Sequence, residues 1–305
     1  MVKIGVLNTI NPISVSEQAQ YLAERIGGDL IKGINADVIY DVLITVGPPN
    51  IVFENAAKFV KAKKRVCYWV VEGILTAVGR RRARSVQCDM SVAPSAAVKK
   101  WMEESDIHID YIVPHEIIPP NVESRNNGRA VYVAGVYSRK WPQWGLQVIK
   151  MTDKLDAYYK AEVSLEPFMH YVHFLEGFGV KKLDVVPKDK HYEFLSQYSA
   201  FASLSASEGF GLYIREALAM KMNVVAVTHE AYWDVSTHPC FYPVPHRDVV
   251  YAVAPRDDAY DEYRTWDPAV YVEALMKALE RPCPAALELK KHYDVMKTLI
   301  YQLLK

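Results

Sequence analysis

Short apolar runs alternate with helical patterns along most of this chain. Residues 2–7, 38–46, 65–71, 90–93 and 111–113 are short, mainly apolar runs, which suits strands buried in a sheet. Residues 16–26, 51–63 and 95–104 place apolar positions at helical spacing instead. Strand and helix in alternation predict a parallel α/β domain. The polar, turn-rich stretch at 123–129 then marks a linker. A second series opens with a strand over 130–135 and closes with a helix over 268–280. Beyond Pro282 and Pro284, Leu289, Tyr293, Met296, Ile300 and Leu303 recur at three- and four-residue steps, which gives one more amphipathic helix. The expected division is a first domain at 1–124, a second at 125–283 and a terminal helix within 284–305.

Composition agrees with two packed domains. The chain has 305 residues, half of them apolar and 24% charged, with a formal net charge of +0, the profile of a soluble globular protein. The run at 2–7 is too short for a signal peptide, and no stretch approaches the roughly 20 apolar residues that span a bilayer. Cys67, Cys88, Cys240 and Cys283 are far apart and form no Cys-x-x-Cys. They are expected to be packed thiols in a reducing cytoplasm rather than a disulfide framework or a zinc site.

The chemistry concentrates in Ser207-Glu208-Gly209-Phe210-Gly211-Leu212-Tyr213-Ile214-Arg215-Glu216-Ala217, with a strand-like run at 200–205 before it and another at 223–227 after it. Gly209 and Gly211 permit backbone conformations closed to other residues, and the first amides of the helix that follows have no intrahelical partners. A phosphate suits that position. Helical side chains lean toward the N-terminus, so Glu216 should reach back toward Glu208. A carboxylate beside a diphosphate would be repulsive, so both are expected to accept hydrogen bonds from hydroxyl-rich parts of a ligand, ribose and sugar. The plain alternative is that Glu216 is a solvated helix residue.

The whole run resembles the Glu-x7-Glu signature of the family 4 retaining glycosyltransferases, which have the GT-B architecture of two Rossmann-like α/β domains facing a cleft. That resemblance implies a C-terminal helix returning to the N-domain and a nucleoside-diphosphate sugar as donor, bound mainly by the second domain. It implies that Glu216 binds ribose, that Glu208 binds the donor sugar, and that the amides around Phe210, Gly211 and Leu212 hold phosphate. It also implies a basic pair after the first strand of that domain. Gly135-Val136-Tyr137-Ser138-Arg139-Lys140 supplies Arg139 and Lys140, adjacent rather than separated as is usual in the family. No protein nucleophile, cofactor or metal is implied.

Other departures lie in the first domain. The family's Gly-rich loop is replaced by Asn8-Thr9-Ile10-Asn11-Pro12, and its strand-end His by Trp69-Val70-Val71-Glu72-Gly73. Glu72 is the candidate acceptor-side residue, with His115 and Glu116 also near the expected cleft. Between Lys58 and Arg84 nine cations stand against one acid, Glu72, a stretch that attracts polyanions and suggests peripheral contact with an anionic membrane. A solvated surface is the plain alternative, and no nucleic-acid motif accompanies the cations. The acceptor, whether glycan, lipid or protein, is not specified. A non-catalytic sugar-nucleotide-binding subunit and a GT-B epimerase are the alternative functions.

Overall fold

The computed structural model describes residues 2–9, 13–32, 38–160, 168–254 and 259–305. It divides the chain into two compact units, Met1–Glu116 with Tyr251–Glu262 and Lys290–Lys305, and Ile117–Val250 with Tyr263–Leu289. The units therefore change over at Glu116 and Ile117, ahead of the polar stretch at 123–129. The stretch Tyr251–Glu262, expected within the second domain, belongs to the first unit.

In the first unit the elements run β1 (Ile4–Asn8), α1 (Ile13–Ile26), β2 (Asp29–Leu30), β3 (Ile39–Gly47), α2 (Ile51–Phe59), β4 (Lys61–Trp69), β5 (Gly73–Leu75), α3 (Ala77–Ser85), β6 (Met90–Ala93), α4 (Ala96–Glu104) and β7 (Tyr111–Ile112). Asn50, Thr76 and Ser95 start α2, α3 and α4, each side chain accepting a hydrogen bond from the amide three residues on. Six strands pair in parallel in the order β2-β1-β3-β4-β6-β7. Ile10, Asn11 and Pro12 of the loop after β1 lie outside the described residues.

The second unit contributes β8 (Ala130–Gly135), α5 (Gln143–Met151), β9 (Leu155–Lys160), α6 (Met169–Gly177), β10 (Lys181–Leu183), α7 (Lys188–Leu195), β11 (Ala200–Ser203), α8 (Leu212–Ala219), β12 (Asn223–Val227) and β13 (Phe241–Val244). Its sheet is also parallel, in the order β10-β9-β8-β11-β12-β13. Counted within the unit, the order is 3-2-1-4-5-6, the Rossmann arrangement, whose direction of winding reverses between β8 and β11. The chain ends with β14 (Val249–Ala254), β15 (Ala259–Arg264), α9 (Pro268–Leu279) and α10 (His292–Leu303). β15 pairs antiparallel with β5, which explains why Tyr251–Glu262 belongs to the first unit.

The helix α10 packs on the first unit. Tyr293, Met296 and Ile300 join the core that Ile4, Val6, Val42, Ile44 and Val92 build with α1. The Tyr293 hydroxyl donates to Gln18 Oε1 at 2.7 Å and meets His115 Nδ1 at 3.2 Å, while the Tyr293 amide donates to Glu116 Oε1 at 2.6 Å. His115 and Glu116 are buried in this network. They anchor α10 to the first unit.

One sequence expectation is corrected by the cysteines. Cys67 is disulfide-bonded to Cys88 and Cys240 to Cys283, so the cysteines are not packed thiols. Parallel pairing of β4 with β6 sets Cys67 opposite Ser91 and so brings Cys88, just before β6, alongside. Local spacing cannot show that, and the cysteines no longer argue for a reducing compartment. His238 lies near Cys240 and Cys283, but two sulfurs bonded to each other offer no thiolate to a metal. The basic stretch is likewise offset by acids from outside it. Lys58 and Arg82 pair with Glu54, Lys63 with Asp41, Lys64 with Asp89 and Arg84 with Asp106. Acids from outside the stretch thus meet five of its nine cations, and nothing supports an anionic-membrane contact. No helix among the described residues is long and apolar enough to cross a membrane.

Candidate functional site

In open α/β sheets ligands bind outside the carboxyl ends of the strands where the winding reverses. In the second unit that point lies at the ends of β8 and β11, and both candidate loops leave from it. After β8 the chain turns sharply, with the Tyr137 amide donating to Gly135 O at 2.9 Å, and enters a 3-10 turn at Ser138–Lys140. The turn is braced from beneath by Trp141 Nε1 on Gly135 O at 2.9 Å and the Tyr132 hydroxyl on Lys140 O at 2.7 Å. A Cβ on Gly135 would lie 2.8 Å from the Tyr137 ring, so any larger residue here would push that ring aside.

The loop after β11 is tied to this turn. The Ala206 amide donates to Arg139 O at 2.8 Å, and Lys140 Nζ donates to Ser207 O at 3.2 Å and to Glu208 Oε1 at 2.6 Å. Lys140 and Glu208 thus form one pair, with side chains 14% and 17% exposed. Arg139 stacks its guanidinium on Tyr137, 4.9 Å from the ring centroid. Gly211 opens α8 in the left-handed conformation, φ 75° and ψ 60°, and a Cβ there would lie 2.6 Å from the Tyr232 ring. The first amides of α8, from Leu212 on, follow directly, beside Gly209 and Phe210.

Arg215 holds this loop in place. Its guanidinium donates to Phe210 O and Asp234 Oδ1, to Gly211 O at 3.4 Å and to Ala231 O at 2.9 Å, and lies 3.7 Å from the Phe210 ring centroid. Burial pulls its pKa below the usual guanidinium value, and Asp234 opposes that pull. Sequence reading gave Arg215 no role, because an Arg in a short helix reads as solvated.

Glu216 differs from its expectation as an open pocket residue and equally from the solvated alternative. Its side chain is 1% exposed, Oε1 receives Lys188 Nζ at 2.6 Å, and Oε2 has no hydrogen-bond partner. Lys188 begins α7 and escaped the sequence reading, as did Lys160 at the end of β9. Both lie against the ring of Tyr213, at 5.8 and 5.5 Å from its centroid. His191 packs edge-on to the same ring at 5.5 Å. Desolvation first, then the Lys160 and Lys188 ammonium groups, hold its pKa down at about 2. Glu72 lies in the first unit, where its carbonyl accepts the Glu262 amide at 3.2 Å; it is not among the residues gathered at β8 and β11.

The His191 environment fixes a pH dependence. An imidazole neutral in the fold and protonated in the unfolded chain below about pH 6.5 contributes stability that is fully present above that pH and is lost as pH falls toward 2. Between pH 7 and 5 the loss from this group is about 2 kcal/mol. His191→Phe should therefore be less acid-sensitive than the parent by about that amount in urea unfolding. Equal losses in both proteins would show that His191 takes up its proton in the fold.

These two units have the GT-B fold. The crystal structure of WaaG, a glycosyltransferase involved in lipopolysaccharide biosynthesis, matches with TM-score 0.59 and 9% identity over 100% of this chain and 94% of that one. Sucrose-phosphate synthase from Thermosynechococcus elongatus matches with TM-score 0.63 and 10% identity over 99% and 98%. S. aureus TarM in complex with Fondaparinux, alpha-GlcNAc-glycerol and UDP matches with TM-score 0.55 and 10% identity over 86% of this chain and 51% of that chain. Such low identities concern the fold alone. No protein-family model and no curated protein sequence matches the chain.

Proposed function

We propose that this chain is a glycosyltransferase that moves a sugar from a nucleoside-diphosphate donor, with retention of configuration, to a glycan, lipid or protein acceptor. The observation that carries the reading is the convergence of the β8 turn, the Lys140–Glu208 pair and the amino end of α8 at one reversal point of a Rossmann sheet. The α8 amides, with Arg139 and Lys140, neutralise the charge that grows on the departing diphosphate, and they are set in position before reaction. Glu216 Oε2 accepts from ribose hydroxyls, and Glu208, oriented by Lys140, accepts from the donor sugar. Neutralisation by these side chains and amides calls for no metal. Glycosyltransferases among the structures of like fold support the class of reaction.

Binding of UDP, GDP and ADP and of their glucose conjugates tests the reading, UDP first because the TarM structure holds it. Glu208→Gln keeps the side-chain shape and should weaken binding of the preferred sugar nucleotide by about 1.5–3 kcal/mol with an unchanged melting profile, whereas Glu216→Gln should weaken binding and also lower the melting midpoint, because Lys188 loses its buried carboxylate partner. A parent protein that binds none of these ligands, or variants that bind like the parent, would overturn it.

A further inference from the structure

His238, Cys240 and Cys283 come from two segments of the second unit that meet beside β13. His238 and Cys240 flank Pro239 in the turn that enters β13, and Cys283 stands between Pro282 and Pro284 after α9. One donor atom from each of the three lies within 4.8 Å of the others. The Cys240 amide donates to His238 Nδ1 at 3.2 Å, so the neutral ring carries its proton on Nε2 and turns a lone pair on Nδ1 toward Cys240. A metal-binding imidazole needs that form. The fixed φ of the three prolines restricts both segments to the geometry that brings these atoms together. Cys240 and Cys283 are buried, whereas His238 is half-buried and gives an ion a way in.

Bonded to each other, the two sulfurs have no lone thiolate to offer. Two electrons and two protons from a pair of thiols, themselves oxidised to a disulfide, convert the bridge into two thiols. Rotation about Cα–Cβ then has to part the sulfurs from about 2.05 Å to the roughly 3.8 Å that two thiolates keep on a tetrahedral zinc ion. We propose that the reduced chain binds one zinc ion through Cys240 Sγ, Cys283 Sγ and His238 Nδ1, with water as the fourth ligand, and releases both thiol protons as it does so. Two thiolates and an imidazole form a soft set that takes zinc and leaves magnesium and calcium. The ion replaces the Cys240 amide on the Nδ1 lone pair. Bridge and ion serve one purpose: in oxidising or reducing surroundings, the start of β13 stays tied to the segment after α9. Nothing in this depends on the nucleotide-site reading.

The test uses the full chain, reduced with a phosphine, which passes to its oxide with an oxygen from water, and then freed of reductant without air. Cobalt(II) is titrated first as the coloured probe, and zinc after it. The parent should take up one equivalent of cobalt, with sulfur-to-metal charge-transfer absorption and the intense visible bands of a tetrahedral site, and zinc should bleach both. Zinc should also protect two of the four thiols from a thiol reagent and raise the melting midpoint of the reduced protein. The oxidised protein should show neither band. The Cys67→Ser, Cys88→Ser pair should bind like the parent, which keeps the other bridge out of the result. His238→Ala should weaken binding by more than the roughly 10–100-fold that loss of an outer-shell partner costs, while its cysteines still bridge on oxidation, so that loss of a ligand is told from loss of fold. A reduced parent without the cobalt spectrum, its thiols only hydrogen-bonded to the Ala285 carbonyl 3.0 Å from Cys283 Sγ, overturns the proposal. So does a His238→Ala variant of parental affinity, or a Cys240→Ser, Cys283→Ser pair that keeps the spectrum.

Discussion

Arg215→Met should destabilise the second unit by about 3 kcal/mol and abolish tight nucleotide binding with it. Removing one partner of a buried ion pair costs about 3–5 kcal/mol, because the remaining charge is stranded. The lower end applies here, since the Asp234 side chain is 24% exposed and water can reach it. The substitution also leaves Phe210 O, Gly211 O and Ala231 O without their guanidinium donor. Those carbonyls belong to the turn that delivers Gly211 in its left-handed conformation, so the amino end of α8 loses its fixed direction. Arg215→Lys should rescue little, because one ammonium cannot serve the several acceptors that a planar guanidinium meets together. Denaturant unfolding and nucleotide titration on the same samples check this. A midpoint shift worth less than about 0.5 kcal/mol, the scale of an ordinary surface change, would show that the Arg215 cage contributes nothing.

The parts of the fold that sequence makes legible are those whose residues are buried on all sides. The strands Met90–Ala93, Ala130–Gly135 and Asn223–Val227 match their apolar runs residue for residue, since nearly every position in them is buried and apolar residues dominate the run. Where an element is half exposed the signal fails. The helix expected over 51–63 stops at Phe59, and Lys61–Trp69 is a strand whose first residues lie exposed, so that its lysines looked like helix surface. The helix α3 went unseen because it buries only Gly79 and Ala83 and carries four arginines, which leaves no apolar stripe to read.

The candidate site was legible along the chain and illegible across it. Glu208, Gly211 and Glu216 lie in one continuous motif, and Lys140 meets Glu208 as two loops from adjacent strands should. Lys160 and Lys188 come from β9 and α7, and their meeting around Tyr213 follows from sheet order, which one sequence does not state. A lone lysine reads as solvated until the fold buries it. The charge of the basic stretch was overcounted for the converse reason, since Asp41, Asp89 and Asp106 reach some of its cations from elements outside the counted window.

The same blindness to long-range pairing hid the disulfides, and their removal is the other large expected effect. Cys240 and Cys283 are separated by 43 residues, Cys67 and Cys88 by 21. Cross-linking loops of these lengths restricts the unfolded chain by about 4 and about 3 kcal/mol respectively. Each bridge lies within a single unit, so the losses should separate. The Cys240→Ser, Cys283→Ser pair should lower the unfolding midpoint of the second unit, and the Cys67→Ser, Cys88→Ser pair that of the first. Reductant should lower both in the parent and change neither in the protein that lacks all four cysteines. Thiol titration of the parent in denaturant without reductant is the direct check, because bridged sulfurs do not react and none of the four should be counted. Four reactive thiols would mean that the sulfurs sit side by side unbonded, and the stability assigned to them would then have to come from packing of Cys67 and Cys240, both buried, and not from a restricted unfolded chain.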